Sequence, residues 1–431
     1  MVLSRIVLAT LLLTGCKLSL FADHGGGDDI AGDANDNGDV MVQSSCGAMC
    51  LGDAGADLGK TGTKWRYLDD HRDRTWTPMT AAGTSYVGAN TMNKFSPCAG
   101  SSAAACTMLP GALLVSTAGK SDAADPALEF SSSSNQVIKI SLRVYIENGG
   151  DHMVRLYRNA REDSLYTFTA TQGNMLETSI TLDALAGERF LLALAPTNAG
   201  AQDIGVQLFI NGTTTVFPQE CQMALQFNEA ATGNMIPNPC GGAALSRHYN
   251  MDNSFNDVDP TQTAGPFPEM GMAASLTFEN YYRGGDIMDR MGDTTTQFWV
   301  RQDMEGTENA VLVSDDDLDK PGGLAVYKLM GGGNIGAQTC VDANTLEHHY
   351  FDAPYPAPAN GWHFVRVIQA GTAVRICVDG VRLGSYVLAA GAMQSDYPLF
   401  VGKNGPWLPA GAFFQGAIDD VRVLKGALPC N

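Results

Sequence analysis

The clearest alternation of hydrophobic and polar positions lies toward the C-terminal end of the chain. Residues 373–379 read A-V-R-I-C-V-D, with apolar residues at every second position. This period of two is typical of a β-strand that buries one face. Asp379-Gly380 then separates this run from a second one, V-R-L, at residues 381–383. A two-residue Asp-Gly loop favours a hairpin because both of its positions need positive φ. The stretch therefore predicts two antiparallel strands joined by a tight turn.

Short runs of the same kind recur along the chain and are separated by turn residues. They lie at residues 137–146, 154–157, 178–182, 190–194, 204–210, 223–227, 276–278, 296–300, 310–313 and 324–329. Many short strands without an amphipathic helix predict an all-β chain built from antiparallel sandwiches or jelly rolls. We expect two such domains in tandem, at residues 61–212 and 221–431, joined by a short linker. The first opens with aromatic residues around a polar run, D-D-H-R-D-R, at residues 69–74.

The N-terminus predicts export. Arg5 precedes an apolar stretch, Ile6 to Leu13, that is too short to span a bilayer and is typical of a signal peptide at residues 1–15. Leu13-Thr-Gly-Cys16 resembles the lipobox of bacterial lipoproteins, which implies cleavage before Cys16 and a lipid on its thiol; the alternative is an ordinary signal peptide with an incidental cysteine. Lys17 stands where an aspartate would retain a lipoprotein in the inner membrane, so we expect anchoring in the outer membrane, at its surface or periplasmic face.

Composition changes this picture in two ways. Residues 16–60 are rich in Gly and Asp and poor in large apolar residues, which predicts a disordered acidic tether. The net charge of −19 disfavours nucleic acid, because phosphate contacts need clustered Lys and Arg. An acidic surface suits an uncharged or basic ligand.

Three motifs of the second domain carry a resemblance to a known family. They are W-H-F-V-R-V at residues 362–367, V-D-G-V at 378–381 and F-Q-G-A-I-D-D-V-R-V at 414–423. Together with their order and spacing, they resemble laminin-G-like, concanavalin A-like jelly rolls over nearly all of residues 221–431. The resemblance implies two stacked antiparallel sheets of about a dozen strands. The first domain is similar, more diffusely, to jelly-roll modules of secreted bacterial proteins, some of which bind carbohydrate.

The resemblance implies a binding role more than catalysis. Glycosidases of this fold carry two catalytic carboxylates in an E-x-D-x-x-E strand, and the chain has no such run. We expect a non-catalytic role in binding or adhesion, with a glycan or a partner protein as ligand. Exposed aromatic residues that could stack on sugars are Trp407, Tyr281 and Tyr282; the alternative is that these rings pack inward. A divergent glycan hydrolase and a purely architectural envelope protein are the other functions that the sequence leaves open.

A structural calcium ion is a further expectation. Asp419 stands where related jelly rolls place a carboxylate ligand, and the resemblance implies partners at Asn228 or Glu229. Calcium needs six to eight oxygen ligands, including backbone carbonyls. The alternative is a surface aspartate beside Arg422. A second acidic run, at residues 33–39, matches the opening of an EF-hand loop, but Ser44 occupies the position of the bidentate glutamate, which favours a solvated linker.

Nine cysteines remain when Cys16 is set aside, and export favours their pairing in disulfides, with one left over. Cys98 and Cys106 bracket a short loop and are predicted to pair. Cys340 and Cys377 lie in separate predicted strands that a bond could join. Cys430, near the end of the chain, could join Cys221 or Cys240. The rival interpretation is a zinc site, but the C-x3-C of residues 46–50 has no second pair at zinc spacing.

Overall fold

The structure is a computed structural model. It describes residues 46–120, 123–228, 235–242, 244–249, 261–276, 280–286, 292–303, 310–315, 323–328, 334–342, 347–356, 361–388, 398–403 and 414–430. The described strands form four antiparallel sheets, which confirms the all-β class predicted from the alternation.

Fourteen strands build the two sheets of the first sandwich. They are β1 (Cys50–Asp53), β2 (Trp65–Asp70), β3 (Trp76–Pro78), β4 (Thr80–Ala82), β5 (Ser85–Val87), β6 (Lys94–Pro97), β7 (Leu113–Thr117), β8 (Asp125–Ser131), β9 (Gln136–Ile146), β10 (His152–Arg158), β11 (Ala160–Ala170), β12 (Met175–Ala184), β13 (Arg189–Pro196) and β14 (Gln202–Gly212). One sheet has the order β12-β9-β14-β7-β6-β5-β4, with β1 also on β14, and the other has the order β11-β10-β13-β8-β2-β3. Two short helices, α1 (Ala54–Asp57) and α2 (Ala104–Met108), lie between strands.

Sixteen described strands build the second sandwich. They are β15 (Cys221–Leu225), β16 (Met235–Ile236), β17 (Leu245–Tyr249), β18 (Gln262–Ala264), β19 (Met272–Leu276), β20 (Asn280–Asp286), β21 (Thr294–Gln302), β22 (Ala310–Ser314), β23 (Leu324–Lys328), β24 (Asn334–Asp342), β25 (Glu347–Pro354), β26 (Trp362–Ala370), β27 (Ala373–Val378), β28 (Val381–Val387), β29 (Pro398–Val401) and β30 (Gly416–Lys425). A 3-10 turn covers Pro268–Met270. The third sheet has the order β18-β19-β30-β21-β26-β27-β28, with β15 also on β30, and the fourth has the order β16-β17-β20-β29-β22-β23-β24-β25.

The hairpin predicted from Asp379-Gly380 is confirmed. Both residues have positive φ, 51° and 79°, and Val378 pairs directly with Val381. The apolar row of β27 enters the core of the second sandwich, where its side chains are at most 2% exposed. Burial of such a side chain contributes about 1.5–3 kcal/mol.

The third sheet is buried on both faces around β30. In β30, Val421 and Val423 enter the core, whereas Asp420 and Arg422 alternate with them and are 3% and 1% exposed. This second row faces the first sandwich, because Arg422 forms an ion pair with Glu188 at the start of β13. The two sandwiches are therefore packed against each other through polar as well as apolar side chains.

The first sandwich starts before the predicted boundary at residue 61. Cys46 and Cys50 form a disulfide, and β1 pairs with β14 through Gly52–Ile210 and Asp53–Phe209. Ala54 is fully buried in the core, which Leu51 and Leu58 also contact. Through these contacts, the end of the predicted tether is part of the first sandwich. Residues 1–45, including Cys16, lie outside the described residues.

The linker between the sandwiches is held by one carboxylate. Asp183, at the end of β12, accepts hydrogen bonds from the backbone N–H groups of Gln219, Glu220 and Cys221 at 2.7–2.9 Å. It is 4% exposed, so these bonds are shielded from water.

The disulfides differ in part from those predicted. Cys98 is bonded to Cys106, and Cys221 to Cys240. Cys377 is bonded to Cys430, which corrects both the Cys340–Cys377 pairing and the pairing of Cys430 with Cys221 or Cys240. The reason lies in the alternation of β27: Ile376 and Val378 point toward the fourth sheet, which holds Cys340, so Cys377 points away from it. The side chain of Cys340 lies outside the described residues.

No described helix reaches the length and apolarity needed to cross a bilayer.

Candidate functional site

A cleft of about 570 Å³ lies where the two sandwiches meet. The first sandwich lines it with residues 72–74 of the β2–β3 turn, with the outward side chains of β10 between residues 153 and 157, and with β11 between residues 161 and 167. The second sandwich contributes residues 379–381, the tip of the β27–β28 hairpin. A volume in this range suits a small ligand, and domain interfaces are frequent ligand sites. The cleft is the candidate functional site.

An apolar cluster fixes the two sandwiches beside this cleft. Ala160 at the start of β11 contacts Met270, Trp299 and Phe364 of the second sandwich, and all four are less than 9% exposed. The rings of Trp299 and Phe364 lie 5.1 Å apart. Residues 299 and 364 stand on the outer face of the third sheet, opposite the core, which explains why large apolar residues occupy that face.

Buried ion pairs cross the same interface. Arg366 of β26 donates to the carboxylate of Asp163 at 2.5 Å and to the carbonyl of Ser164 at 3.1 Å. Arg422 of β30 bonds Glu188 of the first sandwich and Asp420 of its own strand. Both arginines are 1% exposed. A buried guanidinium must have its donors satisfied, so these contacts specify one relative position of the sandwiches.

Arg74 joins the two walls of the cleft. Its guanidinium bonds Glu162 of β11 and lies 3.1 Å from Asp379 in the hairpin turn. It also donates to the carbonyl of Trp362 at 2.9 Å. Arg72 and Arg74 both have positive φ, 63° and 79°, which is rare for residues with a side chain. Such backbone conformations persist where surrounding contacts hold them and are frequent at functional sites.

Two further arginines of the cleft are held from behind by buried carboxylates. Arg72 bonds both oxygens of Asp125, and Arg161 bonds both oxygens of Asp70 at 3.0 Å. Asp70 and Asp125 are each 1% exposed. Burial raises the pKa of Asp70, while the nearby charge of Arg161 lowers it. The carboxylates orient the guanidinium groups whose other faces line the cleft.

Arg155 differs from the other three arginines of the cleft. It lies in the middle of β10, where its direct neighbours across the sheet are Thr167 of β11 and Ala193 of β13. Its guanidinium contacts the sulfur of Met153 at 3.5 Å. Within the described part of the chain, it forms no ion pair with a carboxylate.

Two oxygens of the cleft residues have no hydrogen-bond partner among the described residues. They are Oε2 of Glu162 and Oγ of Ser164, and both are buried. Burial raises the pKa of Glu162, an effect that the charge of Arg74 opposes. A buried acceptor without a donor costs free energy, and a ligand could recover it only if the side chains that cover these atoms moved. The cleft thus combines the donors of Arg155 with the hydroxyl of Thr167 and other polar side chains of its lining, a set that suits the hydroxyl groups of a sugar.

A second, smaller cavity of about 110 Å³ brings together two of the residues predicted to bind calcium. Asn228 and Asp419 line it, with Glu269 and Asp420. Oδ1 of Asp419 accepts from the N–H of Asp420, but Oδ2 is buried and has no partner among the described residues. Burial, with the neighbouring charge of Asp420, raises the pKa of Asp419. The surface position that was the alternative for Asp419 is excluded, because the residue is 1% exposed.

The residues of this cavity fit a cation in part. Asn228 Oδ1 already accepts from the N–H of Met272, and Asp420 is bonded to Arg422. Among the residues that the structure describes, no three His, Cys, Asp or Glu side chains come close enough to hold a metal ion. A cation here would therefore rely on Asp419 together with amide and backbone oxygens. Glu229 lies outside the described residues.

The predicted sugar-stacking aromatics are not in the cleft. Tyr281 and Tyr282 belong to β20 and not to a loop, and they are 0% and 2% exposed, so the expectation of exposed rings is wrong for both. Tyr282 packs into the core of the second sandwich, and Tyr281 packs on Phe400 on the other face of its strand. Adjacent residues of a strand point to opposite faces, and both faces are covered here. Trp407 lies outside the described residues.

Sequence reasoning missed the cleft as a site, although two signals pointed toward it. Residues 72–74 of the polar run line it, and so does the Asp-Gly hairpin tip. In sequence the two lie about 300 residues apart, and nothing in the alternation of either indicates that Arg74 meets Asp379.

Comparison with known proteins supports the fold of the second sandwich. Residues 280–429 match a family model described as the concanavalin A-like lectin/glucanases superfamily. A search of curated proteins found no match.

Several solved structures are similar to part of the chain. Domain 4 of AbnA, a GH43 extracellular arabinanase from Geobacillus stearothermophilus solved with arabinotriose, is 18% identical over 49% of this chain and 95% of that chain, with a TM-score of 0.37. A botulinum neurotoxin type C structure, described as dependent on two ganglioside molecules for cell entry, is 11% identical over 48% of each chain, with a TM-score of 0.35. This chain thus spans about half of the neurotoxin chain. The CBM40 of a Ruminococcus gnavus IT-sialidase is 14% identical over 32% of this chain and 79% of that chain, with a TM-score of 0.27. At such values the likenesses say nothing about the ligand of this chain.

Proposed function

We propose that the protein is a non-catalytic carbohydrate-binding protein of the bacterial cell envelope, which holds a glycan in the cleft between its two sandwiches. The observation that carries the proposal is the cleft between the sandwiches and its polar lining, which includes the guanidinium of Arg155 and the side chains of Ser164 and Thr167. Sugar hydroxyl groups both donate and accept hydrogen bonds, so they match a wall that offers both kinds of group. The concanavalin A-like family match of the second sandwich agrees with a binding role.

The test is retention on a panel of insoluble polysaccharides, with two variants that carry the same substitution at different positions. Val381 lines the cleft and is 61% exposed, so Val381→Trp should fill the cleft without disturbing the core. Val387 lies on the same strand, is 62% exposed and does not line the cleft, so Val387→Trp is the matched control. We expect the wild type and Val387→Trp to be retained and Val381→Trp to be released. Equal retention of both variants would place the ligand elsewhere.

A glycan hydrolase is the second candidate, and one observation favours it. Glu162 and Asp379 face the cleft from opposite sandwiches, both bonded to Arg74, and burial raises the pKa of Glu162, as a general acid requires. Analysis of the same panel for released oligosaccharides separates the two functions. A bound and uncut glycan supports the binder. Cleavage that Glu162→Gln abolishes would overturn it. Failure to retain any glycan or envelope protein would favour a purely architectural role.

The cellular address is proposed from the sequence motif alone. The lipobox-like Leu13-Thr-Gly-Cys16 would attach the chain to the outer membrane through acyl chains on Cys16. In a Gram-negative host, the full-length chain should fractionate with the outer membrane, and Cys16→Ser should release it. Protease added to whole cells then distinguishes the surface from the periplasmic face, and surface display would suit an adhesion role toward a glycan or a partner protein. A wild-type chain found entirely in the soluble fraction contradicts the anchor.

Calcium is proposed as a structural ion of the smaller cavity. Asp419 would supply a charged ligand and Asn228 an amide oxygen, with Glu229 as a further carboxylate, and the ion would neutralise the buried carboxylate of Asp419. Excess EDTA should lower the melting temperature of the full chain, and added calcium should restore it. Asp419→Asn should make the melting temperature indifferent to both. A wild-type melting curve unchanged by EDTA contradicts the site.

A further inference from the structure

We propose that the glycan held in the cleft carries an acidic substituent, a carboxylate or a sulfate, and that Arg155 binds it. This inference rests on the proposed function and names the class of ligand for the same cleft. Its starting point is the difference between Arg155 and the other arginines that line the cleft.

Three of the four arginines of the cleft are matched by carboxylates. Arg72 is paired with Asp125, Arg161 with Asp70, and Arg74 with both Glu162 and Asp379. Each of these pairs leaves the guanidinium charge neutralised before any ligand arrives. An anion gains little from approaching them.

Arg155 has no such partner, and the register of the sheet shows why. Residues directly opposite on neighbouring strands are the ones whose side chains meet, and here they are Thr167 and Ala193. Ala193 has no polar group, and the hydroxyl of Thr167 carries no charge. The sulfur of Met153 is a weak acceptor at 3.5 Å, and the hydroxyl of Tyr157, which also shares a hydrogen bond with Arg155, is uncharged. Among the residues that the structure describes, the charge of Arg155 is thus left to be matched by a ligand.

The geometry of guanidinium suits a planar or tetrahedral acid group. Its donors form a fixed fork that can bond two oxygens of one carboxylate or sulfate. Arg155 lies among groups that suit the rest of a sugar, with Thr167 beside it and Ser164 and Glu162 on the same wall. An acid group on Arg155 would leave the ring hydroxyls within reach of these side chains.

The net charge of −19 does not oppose this arrangement at contact distance. Long-range repulsion between exposed charges is screened beyond about 8 Å at physiological ionic strength. It lowers the rate at which an anion approaches, whereas the contact itself depends on the charges that line the cleft. These include Arg155 and also the carboxylate of Asp73, which accepts hydrogen bonds from Thr75. The expectation that an acidic surface suits uncharged or basic ligands therefore applies to the surface as a whole and not to this position.

The test is calorimetric titration of the full chain with matched pairs of glycans. One pair is oligogalacturonate with free or methyl-esterified carboxylates, and the other is chondroitin with or without its sulfates. We expect the wild type to bind one charged member about 10- to 100-fold more tightly than its matched partner, because a charged hydrogen-bond pair contributes on that scale. The pair that responds identifies the acid group.

Substitutions at Arg155 test whether this residue causes the preference for the charged glycan. Arg155→Gln should remove the preference, so that the charged member and its partner bind with similar affinity, and Arg155→Lys should restore part of the preference. Arg143→Gln, which removes an arginine from the other sheet of the first sandwich, is the matched control and should change nothing. Equal affinity of the wild type for both members of each pair, or a preference that survives in Arg155→Gln, overturns this inference and leaves a glycan-binding cleft intact. If Val381→Trp also leaves every measured affinity unchanged, the cleft itself is not the site and the proposed function fails with it.

Discussion

The buried ion pair between Arg366 and Asp163 should decide whether the two sandwiches unfold as one unit. Arg366 belongs to β26 of the second sandwich, Asp163 to β11 of the first, and neither is more than 2% exposed. The perturbation is Arg366→Met, which keeps most of the side-chain volume and removes the charge. Asp163 then remains buried with one hydrogen bond, from Gln297 Nε2 at 3.2 Å.

The expected loss of stability follows from the buried charge of Asp163, which Arg366→Met leaves without its partner. Removing one partner of a buried ion pair costs about 3–5 kcal/mol, because the other charge is left in a medium that solvates it poorly. Arg366→Met also removes the donors to the carbonyls of Ser164 and Pro429. Replacing both charges by neutral groups, as in Arg366→Met with Asp163→Asn, should recover most of the loss, since no buried charge then remains.

Urea denaturation followed by tryptophan fluorescence measures this loss, because Trp299 lies in the interface cluster. We expect Arg366→Met to lower the midpoint and to separate a cooperative transition into two. Arg143→Met, which breaks the partly exposed pair with Glu177, is the control and should cost about 0–1 kcal/mol. A cost below about 1 kcal/mol for Arg366→Met, or a double variant no more stable than the single one, would refute the reasoning.

Three further predictions concern the linker, a buried histidine and a disulfide. Asp183→Ala leaves three backbone N–H groups of the linker without their acceptor and should lower the free energy of unfolding in urea by about 3 kcal/mol. An unchanged midpoint would show that Asp183 does not stabilise the linker. Burial lowers the pKa of His152 to about 4, below its unfolded value near 6.5, so at this residue the unfolded chain binds the extra proton, and its contribution to stability should fall by about 3 kcal/mol as the pH drops from 6.5 to 4. His152→Phe should remove that slope and His71→Gln, in the exposed β2–β3 turn, should keep it. Loss of the Cys377–Cys430 bond, which closes 53 residues, should cost about 4 kcal/mol in the chain-entropy model, and peptide mapping that finds Cys377 bonded to Cys340 would contradict the pairing.

The strands that alternate were predictable from the sequence, and so was the turn between β27 and β28. The alternation of apolar and polar residues indicates which face of a strand is buried, and Asp379-Gly380 indicates a turn whose backbone needs positive φ. Both signals are local in the sequence. The all-β class and the concanavalin A-like character of the second domain follow from such local signals.

The interface and the cleft could not be predicted in the same way. A polar row such as Asp420 and Arg422 has the same pattern whether it meets water or another domain, and only the fold shows that Glu188 lies opposite. The pairing of Cys377 was in part decidable, because its alternation with Ile376 and Val378 already pointed it away from the core. Tyr281 and Tyr282 were misplaced because the Gly and Asp residues that follow them suggested a loop, whereas β20 continues to Asp286.

The central claim is that a glycan lies between the two sandwiches and contacts both. Hydrogen–deuterium exchange of the full chain, with and without a polysaccharide that retains it, tests this claim most directly. We expect simultaneous protection of backbone amides in β10 around Arg155 and in the hairpin tip at residues 379–381, which are distant in sequence and meet at the cleft. Protection confined to one sandwich, or found only away from these two segments, would contradict it.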